Sequence, residues 1–493
     1  MRPLYIFLLF GLITSILFSS GQIENPDTHL RLTQTRIILD NNNFGLEKDV
    51  GEDMHGNIAI NEDGQRYMVY NPGQSLVFVP IYIIANLISS DAVNAYYYSA
   101  FYVSFLNYFV HALCAFLLFN IGLLLGASKK QAYLASMFFG LTSYSFVFAQ
   151  STYEHHFEML FILLSTYFAL KKNTNHTGLL SGLILTLSLV FRTTTILAVP
   201  AILLIQRDNK ERVKALASLT IGVGFVLLYN YYRFGSPLES GYSLAWSLAH
   251  NDKFDFWSFS RMPMAFFGLL LSPGKGLIFF STTIVIALWG IKAFWQNQRL
   301  MSYSILLIST AYLGMFSMNF AWHGSIWSYG PRYILPIIPF LYLPIIYLKP
   351  KKWVFISMLI AFILQVELIS VNYKRDVLMD YITYNGLSDM EYLYKIKKEP
   401  HLIQAKQLAI ILPKNLGELK NYQPNSPWKK EIRTASNAEV ICSSIEKNSI
   451  NFWWVRIFHW KCLPISRAFS VLVLFFGLIG AFMLFKYVKK EII

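Results

Sequence analysis

Residues Asn25 to Gly73 read NPDTHLRLTQTRIILDNNNFGLEKDVGEDMHGNIAINEDGQRYMVYNPG. This is the only long polar segment in the first half of an otherwise apolar chain. It follows directly on the apolar run Leu4 to Phe18, a short membrane-spanning candidate. Asp27, His29, Arg31 and Arg36 therefore fall within a few residues of a membrane surface. A connection of this length is uncommon without a function. It reads as half of an active site, with the surrounding helices supplying the other half. Within it, Asp27 can cap a helix running to about Leu39, with Leu30, Ile37 and Ile38 on one face. Asn57 to Ile60 and Arg66 to Tyr70 fit a hairpin around Asp63-Gly64. Ser75 to Ile88 is apolar but shorter than the ~20 residues of a span, and reads as an interfacial helix.

The whole chain has the composition this reading needs. Its 493 residues are 55% hydrophobic, 16% aromatic and only 14% charged, against about 25% charged in soluble domains. The net charge of +14 does not mark a nucleic-acid binder, because the basic residues sit in small groups between apolar runs, as cytosolic loops do. Of three cysteines, Cys114 lies in an apolar run and reads as a packed thiol. Cys442 and Cys462 lie in a polar region and could pair outside the cytosol.

Further apolar runs extend over about 100–125, 132–148, 159–170, 178–191, 196–205, 215–231, 277–294, 303–320, 334–348, 353–371 and 469–485. The pieces 178–191 and 196–205 are split by Arg192-Thr193-Thr194-Thr195, and broken pairs of this kind are tolerated only where they line protein or water. With the N-terminus inside, each Lys/Arg group flanking a short loop falls on the cytosolic side and each motif-like polar loop on the other. Leu4 to Phe18 is read as an uncleaved anchor rather than a signal peptide, although Ser19-Ser20-Gly21 would suit a peptidase.

The outer face then collects Asp27, the group Glu154-His155-His156-Glu158, Arg192, Lys275, and His323, Tyr329 and Arg332. Carboxylates that accept a proton and cations that hold a phosphate are what sugar transfer from a lipid phosphate requires. Each has a plainer reading. Asp27 could only cap a helix. The Glu154 to Glu158 group reads mostly as a solvated rim with one functional member. Lys275 could snorkel, its flanking glycines favouring a backbone that approaches a ligand, and Arg332 could anchor an interface. Arg192, between two apolar pieces, is functional by default. Adjacent His155 and His156 do not share a helix face, so metal binding is not expected. The sequon Asn175-His176-Thr177 falls on the cytosolic side and is discounted.

These features resemble the GT-C membrane glycosyltransferases, in particular the protein O-mannosyltransferases and lipid A aminoarabinose transferases. Asp27 with Arg31 falls where those families have an acidic residue followed by an arginine. Tyr70-Asn71-Pro72-Gly73 resembles the proline-containing element that ends their loop. Glu154 to Glu158 resembles their second acidic position. LSPGKGL, YNYYRFGSPLESGY and WSYGPRY resemble phrases of bacterial members of this group. The resemblance runs through Pro339 and is weak after Val371. Asp27 is followed by Thr28, where the mannosyltransferases have Asp-Glu, and a single proline replaces the aminoarabinose transferases' lysine and double proline. Neither substrate is carried over.

The resemblance implies an inverting transfer from a polyprenyl-phosphate-linked sugar to a hydroxyl of a glycan, lipid or protein, without a metal, although a divalent metal is not excluded. Asp27, Glu158 and Glu154 are the catalytic candidates. Arg332, Lys275 and Arg192 are the candidates for the donor phosphate. Arg31, His29, His155, His156, Tyr70, Tyr329 and His323 are those for substrate. The expected fold is an all-α polytopic membrane protein, a GT-C-like bundle of about twelve spans with a long first outer loop (21–99). Residues 1–371 are the catalytic module, 372–466 a small outer domain, and 467–493 a last span with a basic tail. The expected location is a bacterial inner membrane with the site on its periplasmic face. The partners are donor, acceptor and membrane lipid, with no nucleic acid. A transporter or lipid flippase is the rival reading, but that would place charges near the midplane in repeating halves. A scaffold would explain the tail and not the outer motifs.

Overall fold

The computed structural model describes residues 2–48, 50, 57–89, 91–171, 176–206, 208–249, 256–324, 328–349, 351–372, 395–396, 399–415, 449–458 and 466–492. Among them the chain is helical apart from one two-stranded hairpin. In order it forms α1 (Arg2–Phe18), α2 (Pro26–Asn41), the hairpin β1 (Ile58–Ile60) and β2 (Arg66–Met68), α3 (Gly73–Ile88) and α4 (Ala92–Leu124). Next come α5 (Lys129–Thr142), α6 (Tyr144–Ala149), α7 (His155–Leu170), α8 (Thr177–Phe191), the 3-10 turn Thr193–Ala198, α9 (Val199–Ile205) and α10 (Asn209–Phe234). After α11 (Tyr242–Ala249) follow α12 (Met262–Leu271), α13 (Leu277–Phe280), α14 (Ile284–Asn297) and α15 (Arg299–Met318). The 3-10 turn Arg332–Ile337, α16 (Ile338–Tyr342) and α17 (Lys352–Ser370) complete the bundle, and helices Pro400–Asn415, Trp453–Phe458 and Ser466–Ile492 follow.

Among the described residues, five helices are long and apolar enough to cross a membrane: Ala92–Leu124, Asn209–Phe234, Arg299–Met318, Lys352–Ser370 and Arg467–Val488. The last has only 11% of its apolar window buried, and Phe475, Phe476 and Phe482 stand out from it. Such a stripe in water would forfeit about 25 cal/mol per Å², and a bilayer removes that cost.

Several expected spans are broken. The run 132–148 divides at Ser143, whose extended backbone (φ −88°, ψ 157°) separates α5 from α6. The run after SPGKG divides at 281–283 between α13 and α14. The run 334–348 is two 3-10 turns around α16, because Pro336, Pro339 and Pro344 remove successive helix donors. The hairpin forms as expected, with Ile58 opposite Met68 and Ile60 opposite Arg66. Cys442, Cys462 and Asn175 lie outside the described residues. The described parts of 372–466 pack on the bundle: helix Pro400–Asn415 lies on α17, and Trp453–Phe458 on the final helix.

Close helix packing aims the site. A Cβ on Gly178 would lie 2.0 Å from the Glu211 carbonyl oxygen, and one on Gly182 2.3 Å from that of Ala215, so α8 and α10 touch backbone to backbone. Arg233, near the end of α10, donates to the carbonyls of Met68 (2.7 Å) and Tyr70 (3.2 Å), and Asn71 donates to Leu189 of α8 (2.8 Å). The first loop is thereby fastened to the ends of two helices.

Candidate active site

The start of α2 is built by Asn25 and Pro26. Asn25 is extended, and its Oδ1 accepts from the Thr28 amide at 2.8 Å, while Pro26 takes the first helical position. Asn25, not Asp27, is the cap. Asp27 is left in the first turn, where the helix dipole favours an anion. Its Oδ2 accepts from Arg332 Nη1 at 3.4 Å, with 11% of the Asp27 side chain exposed.

Arg332 is presented by a sharp turn. Gly330 has φ +48°, and a Cβ there would meet the Tyr144 ring at 2.7 Å, so a side chain is barred on two counts. The guanidinium lies over the rings of Tyr153 (4.5 Å) and Tyr333 (5.0 Å) and donates to the Tyr333 hydroxyl at 3.2 Å.

A second set of charges adjoins the first. Arg31, one turn after Asp27, places Nη2 2.9 Å from Glu154 Oε2. Arg192 reaches the other Glu154 oxygen at 2.5 Å and Glu158 Oε2 at 3.1 Å. Glu158 Oε1 also accepts from Thr194 (2.7 Å) and Tyr312 (2.8 Å). The carboxylates sit at helix starts and Arg192 just past the end of α8, each where the helix dipole favours it. The Glu154 to Glu158 group is not a solvated rim: Glu154, His155, His156 and Glu158 are at most 3% exposed. The reason is that α7 begins at His155 rather than near Met159. Burial pushes the Glu154 carboxyl up, but Arg31 and then Arg192 outweigh it and hold it below the usual range. Upstream, Thr152 holds φ +60°, rare for a β-branched residue, secured by Thr28 and Gln74 donating to its carbonyl at 3.2 and 2.7 Å.

Tyr70 lies under Arg31, 4.0 Å from ring centre to guanidinium, and its hydroxyl donates to Asn57. Among the described residues, Arg31 Nε and Nη1 and Arg332 Nε have no hydrogen-bond partner, nor has either ring nitrogen of buried His155, whose Nδ1 is 4.0 Å from Glu154.

Other candidates lie apart. His29 turns to the Tyr96 hydroxyl (2.9 Å) and the Ile23 carbonyl (3.1 Å). His156 points into the bundle, with Nε2 on the Ser145 carbonyl at 3.0 Å. Tyr329 donates to the Leu368 carbonyl at 3.2 Å, beneath the Arg332 turn. Lys275 does not snorkel. It is fully buried, with Nζ donating to the Ser328 carbonyl. Burial and then Arg332 push it well below the ordinary lysine range. A Cβ on the neighbouring Gly276 would meet the Ser272 backbone at 2.5 Å, so that glycine serves the turn's own packing. His323 is buried beside Lys275 and Arg332. Tyr153, Thr194, Tyr312, Tyr333 and Tyr242 were not singled out from the sequence, yet all bear on these charges. Tyr333, Thr194 and Tyr242 fall within stretches quoted above, and Tyr153 adjoins Glu154. Among the described residues no three metal-ligating side chains converge.

No family model matches the chain, and no curated protein matches it in sequence. Solved structures similar to it include two that bind lipid phosphates. One is the archaeal oligosaccharyltransferase AglB from Archaeoglobus fulgidus, in complex with an inhibitory peptide and a dolichol-phosphate. It has a TM-score of 0.42 and 9% identity over 88% of this chain and 59% of that one, so the chain spans less than two thirds of its length. The other is ArnT from Cupriavidus metallidurans bound to undecaprenyl phosphate, with a TM-score of 0.43 and 12% identity over 86% of this chain and 80% of that one. Both have the GT-C fold. At these values the likeness assigns no residue a role.

Proposed function

We propose that this chain is a GT-C-type integral membrane glycosyltransferase that moves a hexose or pentose from a polyprenyl-phosphate donor to a hydroxyl. The observation that carries this reading is the Asp27–Arg332 pair, a largely buried carboxylate 3.4 Å from a guanidinium 305 residues away. The motif resemblance supports the same chemistry. Asp27 takes the acceptor's proton. The freed oxygen attacks the anomeric carbon from the face opposite the phosphate, so configuration inverts. The bond from that carbon to the phosphate oxygen breaks, and its electron pair leaves on the lipid phosphate.

Arg332 and Arg31 are assigned to the phosphate, because among the described residues Arg332 Nε and Arg31 Nε and Nη1 have no hydrogen-bond partner. Paired guanidinium donors suit a phosphate better than a single ammonium. Arg192 spends its contacts on Glu154, Glu158 and Thr194, so its role is to hold those carboxylates. Lys275 holds the Ser328 turn and is withdrawn from the phosphate. The reading keeps the periplasmic face of a bacterial inner membrane as the site's location and needs no divalent metal, since each acidic group is already occupied by arginine.

The test is transfer by purified protein in nanodiscs, offered undecaprenyl-phosphate hexoses and pentoses with a membrane extract as acceptor. Release of undecaprenyl phosphate coupled to a new glycoside, unchanged by EDTA, is the expected result. Release of no lipid phosphate from any donor, with flux of a solute or lipid instead, overturns the reading.

A further inference from the structure

Asn451 is fully buried and uses every polar group it has. Its amide donates to the Ser370 carbonyl at 2.9 Å. Its Nδ2 donates to Glu24 Oε1 and to Gln150 Oε1, both at 2.9 Å. Its Oδ1 accepts from Arg456, and its carbonyl accepts from Gln150 Nε2 at 3.3 Å. Gln150 also donates to the carbonyls of Phe18 (2.9 Å) and Ile369 (3.3 Å). The neighbouring residues seal the end of α1: the Trp453 indole donates to Ile16 (2.7 Å), its amide to Ser19 (3.0 Å), and the Trp454 indole to Leu17 (3.0 Å). Those carbonyls are the orphan acceptors of a helix C-terminus. Gly21 (φ +75°) lets this segment approach, since a Cβ there would lie 2.6 Å from that of Trp453.

Two contacts of Asn451 end just upstream of a charge in the site, and a third, at Ser370, reaches the site through the end of α17. Glu24 is three residues before Asp27, and Gln150 is four before Glu154. Ser370 ends α17, where the Leu368 carbonyl holds the hydroxyl of Tyr329, three residues before Arg332. Helix Pro400–Asn415 closes the link: Gln404 donates to the Tyr329 hydroxyl, and Asn415 Oδ1 accepts from the Ile450 amide at 3.0 Å. We propose that Asn451 is a positioning residue, which sets the placement of Asp27, Glu154 and Arg332 relative to one another and makes the C-terminal segment a working part of the site. The kinetic part rests on the transferase reading above, and the structural part does not.

Only an amide serves here, because the residue must donate to two acceptors and accept from Arg456. Asn451→Asp sets two carboxylates against each other where Glu24 now accepts at 2.9 Å. The expected result is a fall in kcat of about 10- to 100-fold, the scale of a misplacement near 1 Å, with donor KM changed less than about 3-fold. Adding Glu24→Gln should restore a donor and recover at least about tenfold of the loss. Glu24→Ala, which removes the partner and keeps Asn451 itself, should give the same split between kcat and KM. Hydrogen exchange should quicken in residues 20–35 and 328–336 of Asn451→Asp. Wild-type kinetics with unchanged exchange in both segments overturns the proposal. So does quickened exchange confined to 449–458 and the end of α1. If wild type transfers no sugar, the transferase reading fails, and the exchange measurement alone still decides for or against the positioning role.

Discussion

At the scale of single residues, the site depends on which groups are already spent. Arg332 rests on two tyrosine rings and reaches Asp27 with one nitrogen. Lysine keeps the charge but loses the planar fork and much of the stacking. Arg332→Lys should therefore weaken donor binding about tenfold or more, read as the dissociation constant for undecaprenyl phosphate in nanodiscs. An unchanged constant in Arg332→Ala would return the residue to interface anchoring. His323 supplies a prediction in pH. Burial, then Lys275 and Arg332, lower its pKa to about 3, against about 6.5 in an unfolded chain. Folding thus excludes a proton that the unfolded chain binds. Its contribution is complete above pH 6.5 and falls away as pH drops from 6.5 towards 3, by on the order of 1 kcal/mol per pH unit. In thermal melts from pH 7.5 to 5, His323→Gln should lose less stability than wild type. Parallel curves would contradict that. Asp27, Arg31, Glu154 and Arg332 could be read from sequence because charge beside apolar runs is conspicuous. The tyrosines could not, since in a chain with 16% aromatic residues one more ring carries no signal.

At the scale of elements, hydropathy located nearly every helix but missed the breaks. A polar pair such as Thr142-Ser143 scarcely lowers a window average, yet Ser143 takes an extended backbone and its hydroxyl bonds back to Phe139. The break at Arg192 was legible because an arginine among apolar residues needs an explanation. Local chemistry likewise named the wrong cap: Asp27 and Asn25 are both good caps, and only Pro26 at the first helical position separates them. The packing of α8 on α10 gives the prediction at this scale. Gly182→Leu places a branched side chain where a Cβ already meets backbone at 2.3 Å. It should part the two helices, lower the yield of folded protein and displace Arg192 at the end of α8. Unchanged melting and activity would mean that this contact does not aim the site.

At the scale of the whole molecule, three carboxylates and three arginines come from segments that are far apart in sequence and meet where helices end. Composition and charge spacing announced a membrane protein with polar motifs gathered together. They could not announce that residues 449–458 return to cap α1 and reach Glu24 and Gln150, because such a contact leaves no periodicity behind. The central claim is that Asp27 removes the acceptor's proton, and one measurement addresses it most directly. Single-turnover transfer from a radiolabelled undecaprenyl-phosphate sugar is compared in wild type and Asp27→Asn, with donor binding measured on the same nanodiscs. Asparagine keeps the size and can still accept from Arg332, but it cannot take a proton. The account predicts transfer slowed by about 10²- to 10⁴-fold with the donor dissociation constant changed less than about threefold. Near-normal turnover in Asp27→Asn would contradict it.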